Sequence, residues 1–218
     1  MRQLRTVIAV EGATDNTFFS RLLSRALEEI GRERPGKGFD VDRPLVFVRT
    51  ADTWRTFAQQ VLDQQPGLNL VFFHYDGTSN PEREAAKSWV PMMDEWANVT
   101  SGAENEPAFV PLVPIREMES WALADSKVVN ELAGVDITAS GVFEVNLLPK
   151  VEKLTDPKRT LAEALRSGAR RRRQGRDIHD YLDTIAQRSD LERLRAVPSF
   201  KAWQTDTETA LRRIGFIE

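Results

Sequence analysis

Cysteine is absent from the 218-residue sequence, and histidine occurs only as His74 and His179. Without cysteine the chain has no disulfide, no thiol nucleophile and no cysteine-based zinc site. It also lacks the G-x-S-x-G turn of serine hydrolases and both glycine-rich motifs that bind the phosphates of ATP or NAD. The side chains left for chemistry are carboxylates, lysines and arginines, a set that suits hard cations such as Mg²⁺ or Mn²⁺.

Long apolar runs are also missing. No stretch approaches the roughly 18 consecutive apolar residues of a membrane span, and the densest run, residues 70–73, is the size of a strand. No apolar segment of the signal-peptide type follows the amino terminus. With 41% hydrophobic and 29% charged residues, the chain can bury a core. We therefore expect a folded protein of the cytoplasm that does not interact with membranes.

Short apolar segments alternate with amphipathic ones in the first part of the chain. The segments with the composition of buried strands are residues 6–10, 45–49, 68–74 and 109–115. Asp15 is the predicted N-cap of the first helix, and Pro81 opens the third. Pro111 and Pro114 each remove a backbone donor, which places the fourth strand at a sheet edge. The alternation predicts an α/β fold with a mostly parallel sheet flanked by helices.

The chain changes character near residue 158. Beyond this point only helical spacing of apolar residues is found, and the balance of charge reverses. Residues 158–218 hold 14 Lys and Arg against 9 Asp and Glu, whereas residues 1–157 hold 16 against 24. The sequence therefore predicts an α/β domain over residues 1–157 and a basic, helical C-terminal region over residues 158–218.

Acidic residues stand where the predicted strands end. Glu11 follows the first strand, with Asp15 four residues later, and Asp76 closes the third strand; the fourth strand is followed by Glu117, Glu119 and Asp125. Parallel α/β sheets bind ligands at the carboxyl ends of their strands, so we expect these side chains to converge. Converging carboxylates repel one another, and such an arrangement normally holds a cation.

Each acidic group also has an explanation without a metal. Asp15 suits the cap of a helix, Asp76 followed by Gly77 is a common turn, and Glu117 and Glu119 suit the positive end of a helix dipole. Three such groups at strand ends, in a chain with few other metal ligands, nevertheless favour a site for Mg²⁺ or Mn²⁺.

Five stretches of the sequence carry a family resemblance. Residues 10–15, Val-Glu-Gly-Ala-Thr-Asp, resemble the opening motif of Toprim domains, in the form found in the overcoming-lysogenization-defect nucleases. Residues 74–76, His-Tyr-Asp, stand where Toprim proteins carry an Asp-x-Asp motif. Residues 114–125, with Asp-Pro-Lys at 156–158 and Phe-Lys-Ala-Trp at 200–203, are similar to a Toprim-like bacterial family long catalogued as a domain of unknown function.

The resemblance implies a Toprim-like fold and Mg²⁺-dependent phosphoryl transfer on nucleic acid. Cleavage is favoured over strand passage and priming, because the chain is small and has no motif for an active-site tyrosine. Lys158 would stabilise the transition state, although it also suits the solvated start of a helix. Glu11 either binds the metal or acts as a general acid or base. The candidate metal ligands are Glu11, Asp15, Asp76 and Glu119. Asp125 is expected to contact these ligands rather than to bind the metal directly.

Thr78 is a departure from this family pattern, since it stands where the second aspartate of Asp-x-Asp would be. A hydroxyl is a weaker ligand for Mg²⁺ than a carboxylate. Either Glu119 or Asp125 supplies the missing charge, or the site binds metal loosely, or it has lost catalysis.

A run of arginines provides candidate contacts to nucleic acid, namely Arg170, Arg171, Arg172, Arg173 and Arg176. Several guanidinium groups within a turn and a half of helix can pair with successive phosphates. Consecutive arginines also wrap around a helix, so some of them would remain solvated. On helical apolar stripes lie Trp89, Trp96, Trp121 and Trp203, which are expected in the core rather than as platforms for stacked bases.

Two functions from different classes follow from these patterns. The first, implied by the resemblance, is a Toprim-like nuclease, the effector of a bacterial anti-phage system; the resemblance alone also implies an ABC-type or other P-loop ATPase partner encoded nearby. The second is a catalytically silent subunit that binds nucleic acid or assembles such a complex, and Thr78 is the residue that favours it.

Overall fold

The computed structural model describes residues 2–34, 38–48, 54–64, 67–100, 106–134, 136, 148–169 and 178–218. Within these ranges the strands are β1 (Arg2–Leu4), β2 (Thr6–Val10), β3 (Phe39–Val41), β4 (Leu45–Val48), β5 (Leu70–His74) and β6 (Ala108–Leu112). The main sheet has four strands in the order β4, β2, β5, β6, and each neighbouring pair is parallel. β1 and β3 form a separate two-stranded parallel sheet. The predicted α/β fold with a mostly parallel sheet is confirmed.

The helices that follow the strands are α1 (Ala13–Glu33), α2 (Trp54–Gln64), α3 (Pro81–Glu84), α4 (Val90–Thr100), α5 (Glu119–Ala122) and α6 (Ser126–Ala133). A π-helical segment, Ala85–Trp89, joins α3 to α4, and a 3₁₀ segment, Leu148–Lys153, precedes the C-terminal helices. These are α7 (Pro157–Ala169), α8 (Ile178–Arg188), α9 (Leu191–Arg195) and α10 (Pro198–Arg213), which confirms the helical C-terminal region. In the segments described, no helix is both long and apolar enough to cross a membrane.

The two prolines of the fourth predicted strand lie at the border of the sheet. β6 is an edge strand and contains Pro111, in agreement with the missing backbone donor. β6 ends at Leu112, so Pro114 belongs to the loop that follows it. Pro81 is the first residue of α3, as its tolerance in a first helical turn predicts.

The start of α1 corrects one prediction. Its N-cap is Gly12, which has an extended backbone, and not Asp15. Asp15 is the third residue of the helix, and its Oδ2 accepts a hydrogen bond from the Gly12 N–H at 2.9 Å. A carboxylate at this position satisfies the orphan N–H of the cap residue by reaching back to it. The carboxylate is thereby held at the end of β2.

Alternate residues of the buried strands divide the core between the two faces of the sheet. Ile8 and Phe72 point to one face, where α1 and the C-terminal helices cover them. Ala9 and Phe73 point to the other face, where α2 and α4 cover them. All residues of β2 and β5 are buried, as expected for strands covered on both faces.

The C-terminal helices share the hydrophobic core of the sheet. The ring of Trp203 on α10 lies 5.7 Å from that of Phe72 on β5, and Phe200 lies 5.0 Å from Trp121 on α5. Trp121 also donates its indole N–H to Ser199 Oγ at 2.7 Å. Burial of Trp121 and Trp203 confirms their expected place in the core. The change of sequence character near residue 158 coincides with the start of α7, but one core spans both regions.

Candidate functional site

The strand order reverses at the crevice between β2 and β5. Along the chain, β2 is followed by β4 on one side of it and then by β5 on the other. Parallel sheets bind their ligands at the carboxyl ends of the strands beside such a reversal. Glu11 directly follows β2, His74 is the last residue of β5, and Asp76 comes two residues later. Glu117 reaches the same edge from the loop after β6.

His74 lies between two carboxylates. Its ring is 1% exposed, packs 4.7 Å from the ring of Phe19, and places Nδ1 2.9 Å from the carbonyl oxygen of Leu112. Because a carbonyl only accepts, Nδ1 carries the proton. The other ring nitrogen, Nε2, lies 3.8 Å from Asp15 Oδ2 and 3.7 Å from Asp76 Oδ1. From the sequence, the only sign of a role for His74 is a polar residue at the end of an apolar strand.

The environment of Asp76 strongly perturbs the acidity of its carboxyl group. Burial, and after it the negative charges of Asp15, Glu117 and Glu119, raise the pKa of Asp76 to about 7. The ammonium of Lys158 opposes this rise. About a third of the Asp76 side chain, 35%, is exposed to solvent. The carboxylate is thus open to a ligand while it is crowded by negative charge.

Glu119 and Lys158 reach the edge from two further helices. Glu119 is the first residue of α5 and is 5% exposed. Burial raises its pKa, as do the charges of Glu117 and Asp15, whereas its own backbone N–H and Lys158 lower it. The backbone N–H of Lys158, in the first turn of α7, donates to Glu117 Oε2 at 3.3 Å. Lys158 thus lies beside the carboxylates.

The donor set at this edge fits a divalent cation. Oxygen ligands from Asp15, Asp76 and Glu119 belong to three separate segments of the chain, and hard cations prefer such ligands. The negative crowding that raises the pKa of Asp76 is the condition that a bound cation relieves. An ion shared by the three would draw their oxygens closer together, because these carboxylates do not form a group of ligand atoms within 4.8 Å of one another.

Two strained loops hold the acidic residues in place. The Gly77 N–H donates to Pro114 O at 2.9 Å, and the Arg116 N–H donates to Thr78 O at 3.1 Å. Thr78 and Arg116 both have positive φ, +48° and +70°, which is rare for residues with a side chain. A Cβ on Gly77 would lie 3.0 Å from Pro114 O, so any side chain there would press on the backbone of the neighbouring loop. Backbone hydrogen bonds therefore hold the loop after β5 against the loop after β6.

The remaining predicted residues have different environments. Glu11 is exposed at the end of β2. Asp125 is 3% exposed and caps α6; its Oδ1 accepts from Lys127 N at 3.2 Å and its Oδ2 from Asp190 N at 3.0 Å. Both carboxylate oxygens of Asp125 thus accept hydrogen bonds from backbone N–H groups at the starts of helices. This does not support the prediction that Asp125 belongs to a metal site. The arginine run, Arg170 to Arg173 with Arg176, lies outside the described residues.

A second acidic group lies on the outer surface, away from the predicted ligands. In the part of the chain that the structure describes, Glu29, Glu33 and Glu192 form the one group of three whose ligand atoms lie within 4.8 Å of one another. Arg195 forms ion pairs with all three, at 2.7 Å to Glu29 and 3.3 Å to Glu33. The guanidinium already compensates this charge, so the group is not a convincing metal site.

Comparison with known families adds one finding. A search of curated proteins and of solved structures found no match to this chain. A family model described as a domain of unknown function, DUF4276, matches residues 10–208. This match extends from the last residue of β2 to α10 and includes every carboxylate of the sheet edge. The chain belongs to the DUF4276 family.

Proposed function

We propose that this protein is a Toprim-like, metal-dependent nuclease that cleaves phosphodiester bonds of nucleic acid. The observation that carries the proposal is the convergence of Asp15, Asp76, Glu117 and Glu119 with Lys158 at the carboxyl edge of the parallel sheet. Phosphoryl transfer needs positioned anionic ligands for a cation and a positive group for the developing charge. This edge offers both.

Asp15, Asp76 and Glu119 would hold Mg²⁺ or Mn²⁺. The bound ion would lower the pKa of a water molecule and neutralise charge on the phosphate. Asp15 is fixed for this role by the Gly12 N–H, and Asp76 by the locked loops. His74 lies between Asp15 and Asp76 and keeps its orientation through Leu112 O.

Two further residues would handle charge and protons. The ammonium of Lys158 acts on both Asp76 and Glu119, so it is placed to stabilise negative charge that develops on a phosphate there. Glu11 is exposed at the end of β2, where its carboxylate can exchange a proton with solvent or substrate. We assign Glu11 to the metal or to general acid–base catalysis.

The biological setting follows from the resemblance alone. We propose a cytoplasmic effector of bacterial anti-phage defence that works with an ABC-type or other P-loop ATPase encoded nearby. The chain has no nucleotide-binding loop of its own, which is compatible with a partner that supplies ATP-dependent control. Affinity purification from the native host tests this assignment. Recovery of a neighbouring ATPase supports it, and failure of any genomic neighbour to co-purify counts against it.

Thr78 favours a second candidate, a catalytically silent subunit that binds nucleic acid or assembles the complex. Thr78 is exposed, and its Oγ1 accepts from the Asn80 N–H at 3.4 Å. It offers a hydroxyl where the related motif has a carboxylate. A silent subunit would bind nucleic acid without cleaving it in any divalent metal.

Cleavage of labelled oligonucleotides, combined with Mn²⁺ titration calorimetry, separates the two candidates. The nuclease proposal expects cleavage in Mg²⁺ or Mn²⁺, none in excess chelator, and a loss of about 100-fold or more in Asp76→Ala and Glu11→Ala. Asp63→Asn, an exposed aspartate on α2, is the matched control and should keep full activity. Full cleavage in chelator would refute the metal mechanism. Nucleic-acid binding without cleavage in any divalent metal, also in the presence of the co-purified ATPase, would establish the silent subunit.

A further inference from the structure

A polar groove leads away from the carboxylates along α1. It encloses about 880 Å³ and is open to solvent on one side. One face of α1 forms its floor, from Asn16 to Glu28, and α8 and the segment from β3 to β4 form its walls. Asn16 directly follows Asp15 in the first turns of α1, so one end of the groove lies beside the carboxylate edge, although none of the proposed metal ligands lines it.

The lining of the groove is polar almost throughout. Its floor presents Asn16, Ser20 and Ser24 at a spacing of four residues, which places them on one side of the helix. Val41 is its one apolar lining residue among those described, and no aromatic side chain lines it. Pockets for small organic ligands are mostly apolar, so this groove is poorly suited to one. Hydroxyl, amide and guanidinium groups are the usual contacts to phosphate and sugar oxygens.

Two of its arginines are available to an anion. Arg25 is committed to the end of α8, where it donates to Ala186 O at 2.6 Å and to Ser189 O at 2.9 Å. Arg21 pairs with Asp183 at 3.3 Å, and both side chains are about half exposed, 51% and 44%. Such surface pairs contribute at most about 1 kcal/mol, so a phosphate can displace Asp183. Arg43 is exposed and has no ion-pair partner among the described residues.

We infer that this groove binds the sugar–phosphate backbone of a single strand of nucleic acid and guides it to the carboxylate edge. The inference rests on the proposed function, since it places that nuclease's substrate. Walls on both sides admit one strand rather than a duplex. No aromatic side chain among the described lining residues could stack on a base. The groove would therefore contact the sugar–phosphate backbone and would not distinguish base sequences. Arg21 and Arg43 supply the phosphate contacts.

Fluorescence anisotropy with a labelled single-stranded oligonucleotide of mixed sequence, in chelator, tests the groove without catalysis. The double variant Arg21→Gln with Arg43→Gln should bind at least about fivefold more weakly, and its log–log salt slope should fall by up to about 1.4, or 0.7 per lost contact. The matched control is Arg55→Gln with Arg213→Gln, two exposed arginines that do not line the groove. Gln187→Lys adds a positive charge at an exposed lining position and should tighten binding.

The possible outcomes distinguish a failure of the groove inference from a failure of the proposed nuclease function. Unchanged affinity and salt slope in the groove variant overturn the inference, and so does an equal loss in the control. Equal affinity for a blunt duplex overturns the assignment of a single strand. If the groove variant does not fold, Gln187→Lys decides, and no tightening refutes the groove. Binding that depends on the groove in a protein that takes up no Mn²⁺ would instead refute the proposed function and leave the groove standing.

Discussion

Replacing Asp76 by asparagine should stabilise the metal-free protein at neutral and alkaline pH. The pKa of Asp76 is raised from 3.8 to about 7 by burial and by neighbouring carboxylates. The folded state therefore prefers the protonated side chain. Stability from this preference is fully present below pH 3.8 and is lost as the pH rises through 7. Asparagine removes the titration and keeps the shape.

The size of the effect follows from the difference in pKa. At 1.36 kcal/mol per pKa unit, the full difference between 3.8 and 7 corresponds to roughly 4 kcal/mol. Because 35% of the side chain is exposed, solvent screens part of this interaction. We expect Asp76→Asn to gain about 1–2 kcal/mol over the wild type at pH 8, and close to nothing at pH 4.

Urea unfolding followed by tryptophan fluorescence, in chelator and at a series of pH values from 4 to 8, measures this difference. The control Asp63→Asn should differ from the wild type by a constant amount across the series. Added Mn²⁺ should stabilise the wild type and leave Asp76→Asn unchanged, since the variant has lost a ligand. A stability difference between Asp76→Asn and the wild type that does not grow with pH would refute the reasoning about crowded carboxylates.

Three further outcomes can be measured with the same assays. Thr78→Asp should raise the Mn²⁺ affinity about tenfold in calorimetry, because it adds a carboxylate. The backbone at this position is left-handed, and aspartate tolerates that conformation better than threonine does. An unchanged affinity would show that residue 78 lies away from the metal. Asp125→Ala should lower the free energy of unfolding by about 2–3 kcal/mol, because it removes a helix cap and a buried hydrogen-bond acceptor. Its Mn²⁺ affinity should equal that of the wild type. Weaker Mn²⁺ binding would show that Asp125 belongs to the metal site after all. Replacement of Arg171 and Arg172 together should weaken binding of all nucleic-acid sequences alike and flatten the salt slope by up to about 0.9 per lost duplex contact; an unchanged slope would indicate a solvated helix face.

The main sheet was predictable because its central strands are buried on both faces. Five consecutive buried residues in β2 and in β5 leave a local signal that needs no knowledge of partners. The small sheet of β1 and β3 was missed, because three-residue strands carry too little periodicity. Asp15 was misplaced as an N-cap because aspartate is favoured there, while the extended backbone of Gly12 decided the helix start.

The candidate site was only partly readable from the sequence. Asp76 and Glu119 could be found as candidates from their positions after predicted strands. The role of His74 depends on contacts with Asp15 and with Leu112, which belong to a helix and to the neighbouring strand. Register and helix packing create those contacts, and a single sequence does not display them. The engagement of Asp125 with the start of α9 was hidden for the same reason.

The packing of α10 on the sheet has a consequence for the order in which the protein matures. Chains generally fold from the amino terminus as they leave the ribosome. The carboxylates at the ends of β2 and β5 emerge early, but Lys158 and Trp203, whose ring packs against Phe72, emerge later. A nascent chain that has not yet exposed α7 and α10 therefore lacks part of the core beneath its acidic edge. The proposed cutting activity would arise only once these helices have packed.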